Sequence, residues 1–181
     1  WGSHIDLNRA LRNDAYVNPA DHPKIDDLSE ALELVPLPTE VTVYRGMGFR
    51  NRPDELEEIR SLEPGDLLVD PGFVSTTLND NIAFEIAAAG NITDWVDGFR
   101  EEADTGVMYR IKVPAGTPGL FIGADPDRLP GPASVQEVVL GRNLTYRVVE
   151  GTYMDPELAP DSKVDDVVAD VNDYRSMYYL D

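Results

Sequence analysis

Apolar positions recur at helical spacing in the first third of the chain and at strand-like spacing through most of the remainder. Ile5, Leu7, Ala10 and Leu11 outline a short amphipathic helix. Ile25, Leu28, Ala31, Leu32 and Val35 repeat the pattern after Pro23, and Pro36 and Pro38 end it, because proline has no N–H to give and clashes with the preceding turn. Val41-Thr42-Val43-Tyr44 is β-branched and aromatic, which predicts a strand that delivers Arg45 at its end, just before Gly46. Pro53 followed by Asp54, Glu55, Leu56, Glu57, Glu58 and Ile59 predicts a surface helix with acids at its positive end.

Turn chemistry divides the rest of the chain. Pro64-Gly65 and Pro71-Gly72 mark bends around two extended segments, Asp66-Leu67-Leu68-Val69 and Phe73-Val74-Ser75. Asn79 or Asp80 can cap a helix through Ile82, Ala83, Phe84, Ile86 and Ala87. Val107-Met108-Tyr109-Arg110-Ile111-Lys112-Val113 alternates like a half-buried strand, and Gly119-Leu120-Phe121-Ile122 reads as another. Residues 123–132, rich in Asp, Pro and Gly, form a loop, and 135–140 with 144–149 predict a closing hairpin about Gly141-Arg142-Asn143. Beyond Pro156, Val164, Val167, Val168, Val171 and Tyr174 share one helical face, so a helical C-terminal extension is expected over 151–181. Helices first, then strands with one or two helices inserted, make an α+β domain. The strands do not alternate regularly with helices, and no Gly-x-Gly-x-x-Gly turn or Walker-type loop occurs, which argues against a doubly wound nucleotide-binding fold.

Composition narrows the chemistry. At 181 residues the chain fits one domain able to bury a core without disulfides or a structural metal, and the absence of cysteine excludes thiol catalysis and Cys-ligated zinc. A net charge of -19 with no basic cluster makes nucleic acid a poor partner; acidity of this kind is most simply a solubility feature. His4 and His22 sit in no triad signature and cannot by themselves build a His-based metal site. There is no apolar run long enough to cross a bilayer and no charged-then-apolar leader. Trp1-Gly2-Ser3-His4 resembles a cloning scar, which implies a domain excised from something larger.

Three short stretches carry candidate chemistry. Arg45 ends an apolar strand before a glycine whose bareness would admit a ligand to the backbone; its rigid, permanently charged fork suits a diphosphate, although an exposed strand-end arginine fits the same pattern. Ser75-Thr76-Thr77 offers three hydroxyls able to bond a ribose or fix a nearby carboxylate, and edge strands also use such residues for no special purpose. Glu137 interrupts an apolar strand. If Val135, Glu137 and Val139 face inward, a carboxylate is buried and must be put to use; if Gln136, Val138 and Leu140 face inward, Glu137 points to water, and the pattern fits either register. A carboxylate beneath a sugar stabilises the positive charge that develops when a glycosidic bond breaks.

Together and in this order, these stretches resemble the mono-ADP-ribosyltransferases of the arginine-serine-glutamate class, which includes actin-modifying clostridial toxins, vertebrate arginine-specific ectoenzymes and many bacterial and phage effectors. Val43-Tyr44-Arg45-Gly46 is similar to the family's NAD-binding arginine strand. Gly65-Asp66 followed by Pro71-Gly72-Phe73-Val74-Ser75-Thr76-Thr77 is similar to its Ser-Thr-Ser segment, with Thr77 in place of the last serine. Tyr109-Arg110-Ile111-Lys112-Val113-Pro114 and Gly116 match the next core strand, and Glu137-Val138-Val139-Leu140 matches the catalytic glutamate and the apolar residues after it. The resemblance covers residues 7–150, and it implies a catalytic domain over 5–150 built as a split β-sandwich: two small packed sheets with an NAD cleft between them, flanked by N-terminal helices.

By that resemblance Arg45 binds the phosphate and ribose region of NAD and Gly46 offers backbone bonds to the nicotinamide amide. Ser75 orients Glu137 and contacts the nicotinamide ribose, with Thr76 beside it, and Glu137 stabilises the sugar cation. Phe84 borders the nicotinamide pocket, and residues 123–132 correspond to the acceptor-recognition turn. NAD is then a substrate, no metal is required, and a protein side chain is the acceptor. The implied setting is secretion, or delivery into a target cell as part of a larger effector. One departure stands out. Arginine-modifying members carry a second glutamate two residues before the catalytic one, and others carry a glutamine; here that place holds Val135. Either a bulge re-aims Gln136, or Asp125 or Asp127 substitutes, or the acceptor is unusual or is water. An NAD glycohydrolase, and a catalytically inactive NAD-binding or interaction module, are the alternative readings.

Overall fold

The β-branched run at 41–44 opens strand β1 (Val41–Gly48), which continues past the expected end so that Arg45 and Gly46 lie within it. The computed structural model describes residues 8, 10–12, 21–49, 52–89, 106–122, 136–154 and 164–173. Residues 8 and 10–12 are helical, while Ile5 and Leu7 of the expected first helix, and Trp1-Gly2-Ser3-His4, lie outside the described residues. Helix α1 (His22–Glu33) precedes β1. Then come α2 (Pro53–Arg60), β2 (Leu67–Asp70), β3 (Val74–Thr77), α3 (Asp80–Ala89), β4 (Gly106–Val113), β5 (Gly119–Ile122), β6 (Glu137–Leu140), β7 (Leu144–Met154) and β8 (Val164–Asp173). This is the α+β content that the hydrophobic pattern predicts.

Local chemistry explains the helix ends. Asp54 and Glu55 lie in the first turn of α2 and Arg60 in its last, each matched to the helix dipole. Asn79 caps α3, its Oδ1 accepting from Asn81 N at 3.1 Å. Past the end of α1, Leu37 N donates to Thr117 O at 2.9 Å, and Gly116 N to Leu37 O at 2.8 Å, so the chain between helix and first strand is pinned to the β4–β5 turn. Only Ile25 and Leu32 of the apolar face of α1 are buried, in a cluster with Phe73, Leu11 and Val139 of strand β6; Leu28 and Val35 remain exposed.

The strands pair in the order β2-β7-β8-β4-β1-β3-β6-β5. One junction is thin. β1 joins β3 through the single pair Tyr44↔Thr77, whereas it pairs with β4 along its whole length, from Val41↔Val113 to Gly48↔Gly106. The order therefore divides into two small sheets, β2-β7-β8-β4-β1 and β3-β6-β5. Val43, Ile111 and Tyr146 from the first pack with Val74, Val138 and Leu140 from the second in one core cluster, each buried side chain worth roughly 1.5–3 kcal/mol.

Three expectations need correction. The hairpin about Gly141-Arg142-Asn143 does not form: β6 pairs with β3 and β5, and β7 with β2 and β8. The connection instead carries the chain from one sheet to the other, with Asn143 in left-handed backbone at φ 57°, and turn residues alone do not distinguish the two outcomes. The terminal helix is also absent over 164–173, where β8 runs parallel to β4 and antiparallel to β7. Its valines lose rotamer freedom in a helix and suit a strand, and the slot between β7 and β4 supplies backbone partners on both sides. Residues beyond 150 thus enter the interior of the sheet, while Tyr174 lies outside the described residues. Finally, the first half of β4 is covered on both faces, where Val107 packs with Phe49 and Leu56 and its neighbour Met108 with Ala83 and Ala87, while its second half alternates as expected, with Lys112 exposed between buried Ile111 and Val113.

Candidate active site

The register of β3 against β6 decides how Glu137 is used. Val74↔Leu140, Ser75↔Val139, Thr76↔Val138 and Thr77↔Glu137 are opposed, and Val138 and Leu140 lie in the core. Glu137 and Val139 therefore point to the other face. That face is not simply solvent, because Ser75 Oγ donates to Glu137 Oε1 at 2.5 Å, within the range of a hydroxyl bonded to an ionised carboxylate. Ser75 is exposed and Glu137 half-buried, so the pair is reachable from outside.

Arg45 stands on the neighbouring strand. Tyr44↔Thr77 is where β1 and β3 touch, and the next residues on each strand, Arg45-Gly46 and Ser75-Thr76, do not pair with each other. The two sheets part there, with the backbone of Arg45 on the β1 side of the parting and that of Ser75 on the β3 side. Arg45 is not the water-exposed strand end that its pattern also allowed. Its side chain is 15% exposed, and NH1 donates to Asp70 Oδ2 at 3.1 Å.

Asp70 gathers a second guanidinium. Arg12 donates from Nε to Oδ1 at 2.8 Å and from NH2 to Oδ2 at 3.2 Å, and NH2 also reaches Phe73 O at 2.8 Å. Asn8, one helical turn before Arg12, accepts from Phe73 N at 2.9 Å. Gly72 leaves room for this arrangement, since a Cβ there would lie 3.1 Å from both Arg12 Cζ and Asn8 Oδ1. Sequence reasoning missed Asn8, Arg12 and Asp70. The available signals were the i, i+4 spacing of Asn8 and Arg12 on one helix face and Asp70-Pro71-Gly72 as an Asx turn, which Gly72 N closes on Asp70 Oδ1 at 2.9 Å.

The other residues expected at the site take different places. Thr76 is turned away from the opening: it is 4% exposed and its Oγ1 donates to Val138 O at 2.7 Å. Strand alternation sends it to the face opposite Ser75, where it braces β3 against β6, which corrects its expected place beside the ligand. Gly46 is bare for another reason than the one expected. An added Cβ would lie 1.9 Å from Ala83 O and 2.7 Å from Ala87 N, so its missing side chain admits the backbone of α3. Phe84, half-buried, packs with Tyr44 on the cluster of Ala83, Ala87 and Met108 at that same contact. Gln136 has φ 42° and its carbonyl accepts from Leu78 N at 3.1 Å. It precedes β6, so strand alternation does not fix its direction. Val135, Asp125, Asp127 and the loop 123–132 lie outside the described residues.

Two tyrosines lie near the charged cluster. Burial pushes the hydroxyl pKa of Tyr109 well above the ordinary tyrosine range, with Arg45 opposing the shift, and burial does the same to Tyr146, with Asp70 adding to it. Tyr146 Oη is buried and has no hydrogen-bond partner among the described residues. The chemistry on offer is specific: two guanidiniums suited to a diphosphate, and one carboxylate held by a hydroxyl at an opening between two sheets. No group of three or more potential metal ligands occurs among the described residues.

Comparison with known proteins agrees with that chemistry. The family model described as ADP-ribosyltransferase exoenzyme matches residues 2–175. No curated protein sequence matches the chain. Among solved structures, C3larvin toxin, an ADP-ribosyltransferase from Paenibacillus larvae, has a TM-score of 0.64 at 20% identity, covering 93% of this chain and 89% of that one. Plx2a, an ADP-ribosyltransferase toxin from Paenibacillus larvae, has a TM-score of 0.64 at 22% identity, with 93% and 79% covered. Exoenzyme S from Pseudomonas aeruginosa, in complex with human 14-3-3 protein beta and bound to carba-NAD, has a TM-score of 0.62 at 16% identity, with 98% and 72% covered. At these identities the likeness to the solved structures is one of fold.

Proposed function

The chain belongs to the ADP-ribosyltransferase exoenzyme family, and from that premise we propose how its own residues divide the work of the reaction. The activity is NAD-dependent mono-ADP-ribosyl transfer of the bacterial-toxin kind. Arg45 and Arg12 bind the diphosphate of NAD, which two guanidinium forks can engage bidentately. Gly46 offers backbone groups to the nicotinamide amide at the place where β1 leaves β3, and Phe84 borders that end of the site. Capture of Exoenzyme S with carba-NAD supports NAD as the substrate class.

Breaking the ribose–nicotinamide bond releases neutral nicotinamide and leaves positive charge on the sugar. Glu137 stabilises that charge. Ser75 holds Oε1 of the carboxylate, which leaves Oε2 to accept from a ribose hydroxyl, so the side chain need not reorganise as charge develops. The acceptor atom then bonds the anomeric carbon from which nicotinamide left and gives up its proton. Asp70 is not a base in this scheme, being committed to the two arginines.

The observation that carries this reading is the Ser75–Glu137 bond at the parting of two sheets whose β1 side bears Arg45. Incubation with NAD labelled in its adenylate half, with and without cell extract, tests it. Label fixed in protein is the expected result, and a secreted or delivered domain acting on a protein of a target cell is the setting that fits the toxin neighbours. Free ADP-ribose alone would make water the acceptor, the reading that Val135 favours. Intact NAD in both samples contradicts the enzymatic reading altogether.

A further inference from the structure

We propose that Asp70 is a positioning residue that locks Arg12 and Arg45 side by side as a two-pronged receptor for the diphosphate of NAD, an inference that rests on the activity assigned above. The carboxylate accepts four bonds: Arg12 Nε at 2.8 Å, Arg12 NH2 at 3.2 Å, Arg45 NH1 at 3.1 Å and its own turn's Gly72 N at 2.9 Å. Those bonds fill the lone-pair sites of a carboxylate. Such a group is a strut, with no lone pair left over for binding a ligand.

The strut is anchored on both sides. Asp70 closes β2, where it is opposed to Leu144 of β7, and the Gly72 N–H fixes its carboxyl from the following turn. The two arginines arrive from different places, Arg12 from the N-terminal helical segment and Arg45 from β1, and Asp70 is the partner they share. Two like-charged forks brought this close repel each other unless a carboxylate lies between them. The contact with Asp70 engages Nε and NH2 of Arg12 and NH1 of Arg45, and each guanidinium has five N–H donors, so donors remain beyond those that Asp70 takes. Both forks are thereby fixed before any ligand arrives, which lowers the ordering cost of binding.

Charge alone predicts the opposite role. Asp70 is negative and a diphosphate is negative, so if only net charge mattered, neutralising Asp70 would tighten diphosphate binding. The sign of the change therefore separates the two roles. In the full chain carrying Asp70→Asn, ADP binding measured by calorimetry is expected to weaken about tenfold. The KM for NAD should rise in parallel while kcat stays within about twofold, and inhibition by nicotinamide, which has no phosphate, should be unchanged. ADP affinity that is equal or tighter in Asp70→Asn overturns the proposal, and so does an equal loss of nicotinamide inhibition, which would indicate general disruption. If Asp70→Asn does not fold, Asp70→Glu makes the same test, because it keeps the charge but displaces it by a methylene: weaker ADP binding supports the strut, and parent-like binding overturns it. Failure of the parent protein to bind ADP also overturns the proposal, while NAD turnover by the same sample judges the activity independently.

Discussion

Replacing Gly46 by alanine places a methyl group where the backbone of α3 already lies. The new Cβ would sit 1.9 Å from Ala83 O and 2.7 Å from Ala87 N, against an ordinary contact of 3.4–4 Å, and the obstruction is backbone that cannot rotate away. The helix must retreat by about 1.5 Å, which forfeits a large part of the dispersion contacts at the interface. Ala83, Ala87 and Met108 are all essentially buried there. Overpacking of this kind costs typically 1–3 kcal/mol, and a retreat of a whole helix puts Gly46→Ala at about 3 kcal/mol, or a Tm lower by about 6–12 °C for a chain of this size. Gly106→Ala meets the same helix, its Cβ 2.2 Å from Ala87 O. One retreat relieves both clashes, so the double variant should lose clearly less stability than the two single losses combined. Thermal unfolding of the three variants checks this. A Gly46→Ala protein melting within a degree or two of the parent would refute the close helix–strand contact, and fully additive losses would refute the shared retreat.

Other consequences are equally concrete. Ser75→Ala removes the donor that holds Glu137, a charge-assisted bond worth about 1.5–3 kcal/mol, so kcat should fall roughly 10- to 100-fold with a smaller change in the KM for NAD; an unaltered kcat in steady-state assays contradicts the orienting role. Thr76→Val keeps the volume and removes the bond to Val138 O, so stability should drop by about 1 kcal/mol while the KM for NAD stays put; a raised KM with unchanged stability would return Thr76 to the ligand site. The raised pKa values of Tyr109 and Tyr146 bear on alkaline stability. The unfolded chain releases these protons near the ordinary tyrosine value of about 10 and the folded one does not, so their contribution is intact below about pH 10 and is lost above it, at up to about 1.4 kcal/mol per pH unit for each. Tyr146→Phe should reduce that slope by one tyrosine's share in urea titrations across this range; an identical slope would show that Tyr146 ionises freely in the fold.

Much of the fold was legible because its signals are local. The β-branched run at 41–44, the proline that opens α2 and the asparagine that caps α3 act within a few residues of themselves. Partner choice is not local. Gly141-Arg142-Asn143 serves a corner between sheets as well as it would a hairpin, and the valines at 164, 167, 168 and 171 suit a helix face by spacing and a strand by shape, so only the slot between β7 and β4 decides. The site divides in the same way. Arg45, Ser75 and Glu137 could be named from their strands, but the ambiguity in the facing of Glu137 was settled by the burial of Val138 and Leu140 in a core shared with Val74, distant in sequence on β3. Arg12 and Asp70 were invisible for that reason: an arginine on a polar helix face and an aspartate before a turn are ordinary until the fold brings them 2.8 Å apart.

Turnover and binding of NAD by Glu137→Ala, measured on the same preparation, test the central claim most directly. Removing the carboxylate should lower kcat by at least about a thousandfold while the dissociation constant for NAD changes by no more than about threefold, since the lost interaction belongs mainly to the transition state. A variant that consumes NAD at the parent rate would contradict the assignment of the chemistry to this carboxylate.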